Sequence, residues 1–229
     1  MNDPKIIVAL DFPSLTETEN FLKKIQGSKC RVKVGKELFT AEGPKIIDLI
    51  HDYNLEIFLD LKFHDIPNTV AKAIKITSHL GIWMVNVHAA GGKDMMCASR
   101  EAIENSYHKP LLIAVTILTS FDDETYEEIG YKKPLINQIQ HLAKLAEDSK
   151  MDGIVCSAND ISNLNNLVKK SFKFITPGIR LGMEKDDQKR VTSPRDAISM
   201  GSNYIVIGRP ITKNKDPLKI IEFINQEIQ

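Results

Sequence analysis

Eight short apolar runs, at 6–10, 31–35, 56–61, 83–88, 111–118, 153–157, 173–176 and 204–208, constrain the fold more than any other feature of the chain. Most are rich in Val and Ile and nearly continuous in apolar character, the pattern of strands covered on both faces in a parallel sheet. Segments of helical period separate them. Ile46, Leu49, Ile50 and Tyr53 fall at i, i+3, i+4 and i+7, and comparable stripes run through Leu135, Ile139, Leu142 and Leu145 and through Leu218, Ile221, Ile224 and Ile228. Strict strand–helix alternation demands parallel strands joined by right-handed crossovers. Eight repeats in 229 residues fit an α/β protein with a closed (β/α)8 barrel better than an open doubly wound sheet. No Gly-x-Gly-x-x-Gly follows the first strand to favour dinucleotide binding. Without low-complexity stretches or long Gly/Ser/Pro linkers, residues 1–229 read as a single barrel domain.

Composition narrows the partners. Thirty Lys and Arg balance thirty Asp and Glu, so no basic excess advertises a nucleic-acid or anionic-membrane surface. The run ending at Asp11 is too brief for a signal sequence, and no stretch approaches about twenty uncharged apolar residues. A cytoplasmic protein without membrane contact is the expectation. Cys30, Cys97 and Cys156 are widely spaced and odd in number, which predicts small buried hydrophobes rather than disulfides or a zinc site, and no His-x-x-x-His pair suggests a transition metal.

In a barrel of this type the chemistry sits at the carboxyl ends of the strands. Asp11, Lys33, Asp60, Lys62, Asn86, His88, Thr119, Arg180, Gly208 and Arg209 all fall at those ends. The densest stretch is 60–69, where three charges and a histidine occupy six positions directly after Ile57-Phe58-Leu59. Alternation along a strand would project Asp60 and Lys62 together, with Asp65 arriving from the loop beyond. A carboxylate, an ammonium and a second carboxylate so placed suit proton transfer beside a developing negative charge, although a surface ion-pair cluster would have the same sequence. Lys33 interrupts Val32 and Val34, and pairing with carboxylates at the barrel mouth would relieve its burial. Asp11 fits either a ligand contact or a helix cap, since Ser14 and Thr16 mark a helix start nearby. The turns Pro177-Gly178-Ile179-Arg180 and Gly208-Arg209-Pro210 follow strands seven and eight, where such barrels commonly hold phosphate. The polar run 182–190 reads equally as a mobile lid or a solvated loop. His88 could serve as an acid or base, but with Lys62 already supplying a proton donor a hydrogen-bonded structural histidine is the expectation, and His64 draws attention only through its neighbours.

Together, Ala9-Leu10-Asp11, Val32-Lys33-Val34-Gly35, Asp60-x-Lys62-x-x-Asp65-Ile66-Pro67-Asn68-Thr69, Asn86-Val87-His88-Ala89, Leu118-Thr119-Ser120, Pro177-Gly178-Ile179-Arg180, Asp187-Gln188-x-Arg190-Val191 and Val206-Ile207-Gly208-Arg209-Pro210 resemble the orotidine 5'-phosphate decarboxylase family, in the family's order and over essentially the whole chain. The resemblance implies decarboxylation of orotidine 5'-phosphate to UMP and CO2 in de novo pyrimidine biosynthesis, without metal or cofactor, at a homodimer interface. It implies a catalytic network of Lys33, Asp60 and Lys62 completed by Asp65 of the partner subunit, with Lys62 protonating pyrimidine C6. By the same resemblance, Asp11 contacts the ribose, Thr119 the pyrimidine, and Thr69 of the partner subunit the substrate across the interface. Arg209, the Gly208 backbone and Arg180 take the phosphate, and Gln188 bridges base and phosphate from the lid. Two departures stand out. The segment between Arg180 and Gln188 is about one residue shorter than the family pattern, and Thr192-Ser193-Pro194 replaces the more usual Val-Thr-Pro. The alternative is a magnesium-dependent 3-keto-L-gulonate 6-phosphate decarboxylase of the same barrel group, which shares Asp-x-Lys-x-x-Asp but carries an acidic residue where this chain has Lys33. A catalytically silent phosphonucleotide-binding protein is a third reading, and it leaves Lys62 between two carboxylates without a purpose.

Overall fold

The computed structural model describes residues 3–132, 134–182 and 192–229. Its strands β1 (Ile6–Leu10), β2 (Arg31–Val34), β3 (Ile57–Phe63), β4 (Met84–His88), β5 (Leu111–Val115), β6 (Gly153–Val155), β7 (Lys173–Thr176) and β8 (Tyr204–Ile207) pair in sequence order, all parallel, and β8 closes on β1. This is the (β/α)8 barrel expected from the apolar runs, with β3 extending two residues beyond its run and β5 stopping three residues short.

The described helices are α1 (Leu15–Ile25), α2 (Lys36–Glu42), α3 (Lys45–Asp52), α4 (Pro67–His79), α5 (Gly92–Glu104), α6 (Asp123–Glu128), α7 (Leu135–Asp148), α8 (Ala158–Leu164), α9 (Pro194–Ser199), α10 (Arg209–Thr212) and α11 (Pro217–Glu227). Their apolar stripes face the barrel. On α7, Leu135, Ile139 and Leu142 are buried together with Ala143 and Ala146, and on α11 Ile221 and Ile224 are buried. After β5 the chain runs through Phe121 and Asp122 into α6. Asp122 caps that helix, its Oδ1 accepting from the Thr125 amide at 3.0 Å and the Thr125 hydroxyl at 2.7 Å. Cys30 and Cys156 are buried, Cys97 is half-buried, and none forms a disulfide.

Strand alternation sorts the core into two clusters. Ile6, Val8, Leu10, Val32, Val34, Ile57, Leu59, Val85 and Val87 pack outward against the helices, while Ile7, Ala9, Phe58, Met84, Ile113, Val115, Ile175, Tyr204 and Val206 fill the barrel. Parity then turns Arg31 and Lys33, on either side of the outward Val32, into the interior, Arg31 at the amino-terminal floor and Lys33 towards the mouth. The buried Arg31 guanidinium stacks 3.9 Å from the Trp83 ring centre, pairs with Asp3 at 2.8 Å and Glu56 at 2.7 Å, and also donates to the Pro4 carbonyl. The Tyr204 hydroxyl donates to the same Asp3 carboxylate at 3.1 Å. Replacing Arg31 by Ala should lower the unfolding free energy by about 3 kcal/mol, because charge-assisted hydrogen bonds and a cation–π contact are lost together. Lys5→Ala, which removes a well-exposed pair with Asp3 and a contact 5.4 Å from the Tyr204 ring centre, should cost no more than about 1 kcal/mol. Denaturant unfolding measures both, and equal losses would contradict this account of the floor.

Candidate active site

The mouth of the barrel is built on an irregularity in β3. Leu59 pairs with Val85 and Phe63 with Val87, so Asp60, Leu61 and Lys62 together lie opposite Asn86 alone. The extra residues form a bulge. Within it Lys62 adopts φ +53, the left-handed region that non-glycine residues seldom occupy. Asp60 and Lys62 do project together, but through this bulge rather than through simple strand alternation.

The bulge brings the Lys62 ammonium 2.6 Å from Asp60 Oδ1. On the neighbouring strand, Lys33 Nζ stands 3.4 Å from Asp60 Oδ2 and 3.2 Å from Asp11 Oδ1. The result is a continuous line of alternating charge, Asp11–Lys33–Asp60–Lys62. Its middle is shielded, the Lys33 and Asp60 side chains being 11% and 12% exposed, so each charge depends on its neighbours. Asp11 is available to Lys33 because Ser14, not Asp11, caps α1, accepting from the Glu17 amide. Gly35 leaves the ammonium its room, since a Cβ there would come within 3.0 Å of Lys33 Nζ. Gly208 lies close by, where a Cβ would be 3.8 Å from Asp11 Oδ2.

Asn86, fully buried at the centre of β4, closes the arrangement. Its Nδ2 donates to Asp60 Oδ1 at 2.6 Å, and its Oδ1 accepts from the Lys62 backbone amide at 2.8 Å. Sequence reasoning placed Asn86 only among the residues at the strand ends and assigned it no role. The available signal is a lone amide between Val85 and Val87, which burial obliges to find partners.

Next to the charged line lies a cavity of about 150 Å³. Lys33, Asp60 and Lys62 form its polar wall, Phe58, Val115, Ile175 and Val206 contribute apolar walls, and Thr119 also faces it. One polar and several apolar walls suit a flat, partly charged ring. A larger depression of about 730 Å³, bordered by His79, Glu101, Tyr107 and His108 at the ends of α4 and α5, includes none of the predicted site residues.

The other predicted positions are more dispersed. Asp65 and Thr69 are exposed, and Asp65 Oδ1 accepts from the Ile66 amide at 2.6 Å. Asp65 makes no ion pair with Lys33 or Lys62 among the described residues. Arg180 is buried, its Nη1 donating to the Ile179 carbonyl at 2.9 Å, and Arg209 is exposed at the start of α10. Gln188 and the rest of 183–191, most of the expected lid, lie outside the described residues. Among the described residues no group of three or more His, Cys, Asp or Glu side chains could hold a metal ion, and no helix is long and apolar enough to cross a membrane.

His88 departs from its expected role. Among the described residues it makes no side-chain hydrogen bond, and its ring lies 5.3 Å from that of His64. Burial, reinforced by His64, Lys62 and Lys36 and only partly offset by Asp60, pushes its pKa down to about 4.

A model of the orotidine 5'-phosphate decarboxylase / HUMPS family matches residues 4–224. The chain belongs to this family. It is 52% identical over 221 residues to the orotidine 5'-phosphate decarboxylase of Laribacter hongkongensis, spanning 96% of this chain and 91% of that one. It is 49% identical over 230 residues to that of Vibrio cholerae O395, spanning the whole of both chains. The crystal structure of orotidine 5'-phosphate decarboxylase from Lactobacillus acidophilus superimposes with a TM-score of 0.88 at 37% identity, covering 99% of this chain and 100% of that one. In this member of the orotidine 5'-phosphate decarboxylase / HUMPS family, the charged line therefore stands at the catalytic end of the barrel.

The depressed His88 pKa has a consequence for stability. The unfolded histidine takes up its proton near pH 6.5 and the folded one only near 4. Protonation then favours the unfolded chain, so the contribution of neutral His88 is intact above about pH 6.5 and is lost as pH falls towards 4. Thermal melts should show the wild type losing stability over this window more steeply than His88→Gln, and equal slopes would contradict the assignment.

Proposed function

We propose that this chain is a cofactor-independent orotidine 5'-phosphate decarboxylase that forms UMP and CO2 in pyrimidine biosynthesis. The supporting observation is the line Asp11–Lys33–Asp60–Lys62 against an apolar cavity, in a chain of this family. Breaking the bond between C6 and its carboxylate leaves an electron pair on C6 as CO2 departs. With no cofactor to accept that pair, the surroundings must stabilise it electrostatically. Lys62 is the group for the task. Its ammonium, anchored by Asp60, attracts the developing charge and then transfers a proton to C6, which completes UMP. Lys33 links Asp60 to Asp11, which contacts the ribose, while Thr119 contacts the pyrimidine from across the cavity.

The phosphate binds at Gly208, Arg209 and Arg180, with Gln188 bridging phosphate and base. Charge-assisted hydrogen bonds to this remote, non-reacting group supply binding energy for positioning the ring. Asp65 and Thr69 serve the neighbouring site of a homodimer. Their exposure supports this role, as does that of Ile66 between them, which is 67% exposed and would be better covered by a second subunit. The magnesium-dependent alternative is disfavoured by Lys33, since an ammonium 3.4 Å from Asp60 already neutralises the carboxylate a divalent cation would need.

Purified protein should convert orotidine 5'-phosphate to UMP in excess EDTA, and Lys62→Ala should lose at least about a hundredfold in kcat. Activity that requires magnesium or survives the substitution would contradict the proposal. Inactive Lys62→Ala and Asp65→Ala proteins should regain activity when mixed, because a mixed dimer contains one site with both residues intact. No recovery, despite demonstrated subunit exchange, would rule out the shared site.

A further inference from the structure

We infer that Asn86 is a positioning residue for the proposed decarboxylation, holding the Asp60 carboxylate and the Lys62 backbone in the one arrangement that aims the Lys62 ammonium into the cavity. This rests on the decarboxylase reading. In a regular parallel ladder, backbone amides bond to backbone carbonyls of the adjacent strand. The three residues of β3 opposite Asn86 interrupt that pattern, and Lys62, at φ +53, turns its amide to a side chain instead. Asn86 Oδ1 accepts it. The other end of the same amide group, Nδ2, donates to Asp60 Oδ1, the oxygen that also receives the Lys62 ammonium. One buried side chain thus fixes both the backbone and the counter-ion of the proton donor. Asp60 Oδ2 remains directed at Lys33.

The chemistry of the two contacts selects an amide. Lys62 N–H requires an acceptor and the Asp60 carboxylate requires a donor, so only one orientation of Asn86 satisfies both. A carboxyl in this place would keep the acceptor but present a like charge to Asp60, whereas a leucine would supply neither partner. Full burial leaves no water to substitute for the lost bonds.

The test compares Asn86→Asp and Asn86→Leu with the wild type, after circular dichroism has shown which variants fold. Asn86→Asp should lose about a hundredfold in kcat at about pH 8, because small misplacements of a catalytic group carry penalties of that order, with KM and UMP affinity within about threefold of wild type. The introduced carboxyl can donate to Asp60 only when protonated, so the deficit should shrink as pH falls from about 8 to about 6. Asn86→Leu should remain impaired throughout that range. Wild-type kcat in Asn86→Asp would overturn the inference, as would a deficit independent of pH and matched by an equal loss of UMP affinity. If Asn86→Leu does not fold, Asn86→Asp decides alone. A wild-type protein inactive on orotidine 5'-phosphate would instead refute the decarboxylase reading. Positioning is then judged by hydrogen exchange of the Lys62 amide, which should be at least about tenfold faster in Asn86→Asp at about pH 8 and unchanged if Asn86 does not hold it.

Discussion

Two ammonium groups, Lys33 and Lys62, stand on opposite oxygens of one shielded carboxylate, Asp60, and none of the three would be tolerable there alone. Much of the barrel mouth follows from keeping them together. Lys33 is paired with Phe58, so Asp60, two residues further along β3, lies one interior position nearer the mouth, and the long Lys33 side chain reaches it there. Asp11 must arrive from β1 to occupy the far side of Lys33, and so a different residue, Ser14, caps α1. Gly35 leaves room for the Lys33 ammonium, which a Cβ there would approach to 3.0 Å.

The same strand shows how position decides the use of a charge. Arg31 and Lys33 are separated by one outward valine and both enter the barrel. At the floor, Arg31 meets two well-exposed carboxylates and the Trp83 face, an arrangement that closes the barrel and contributes stability. At the mouth, Lys33 faces a cavity and a carboxylate already engaged by a second lysine. Stability at the amino-terminal end and chemistry at the carboxyl-terminal end is the division of labour this architecture permits. A left-handed Lys62 costs about 1–3 kcal/mol of backbone strain, and such strain persists only where surrounding contacts hold it. Asn86 and Asp60 supply those contacts.

The barrel was legible in the sequence because buried parallel strands and amphipathic helices have different periods, and eight runs such as Ile6–Leu10 and Lys173–Thr176 carry the first of them plainly. The nearness of Asp60 and Lys62 was legible as well, but its cause was not. A period of two predicts the same facing with or without a bulge, and the bulge shows only in the pairing with β4. Asn86 was hidden for a related reason, as its partners are a backbone amide and a carboxylate on another strand. His88 looked like a hydrogen-bonded residue by type, whereas the structure sets it against His64.

The central claim is that Lys62, held on Asp60, stabilises and protonates a carbanion at pyrimidine C6. Protonation run in reverse tests it without the carboxylate. UMP incubated with the protein in D2O should exchange its C6 hydrogen for deuterium, read by proton NMR, and Lys62→Ala should abolish the exchange. Exchange at the same rate in both proteins would contradict the account.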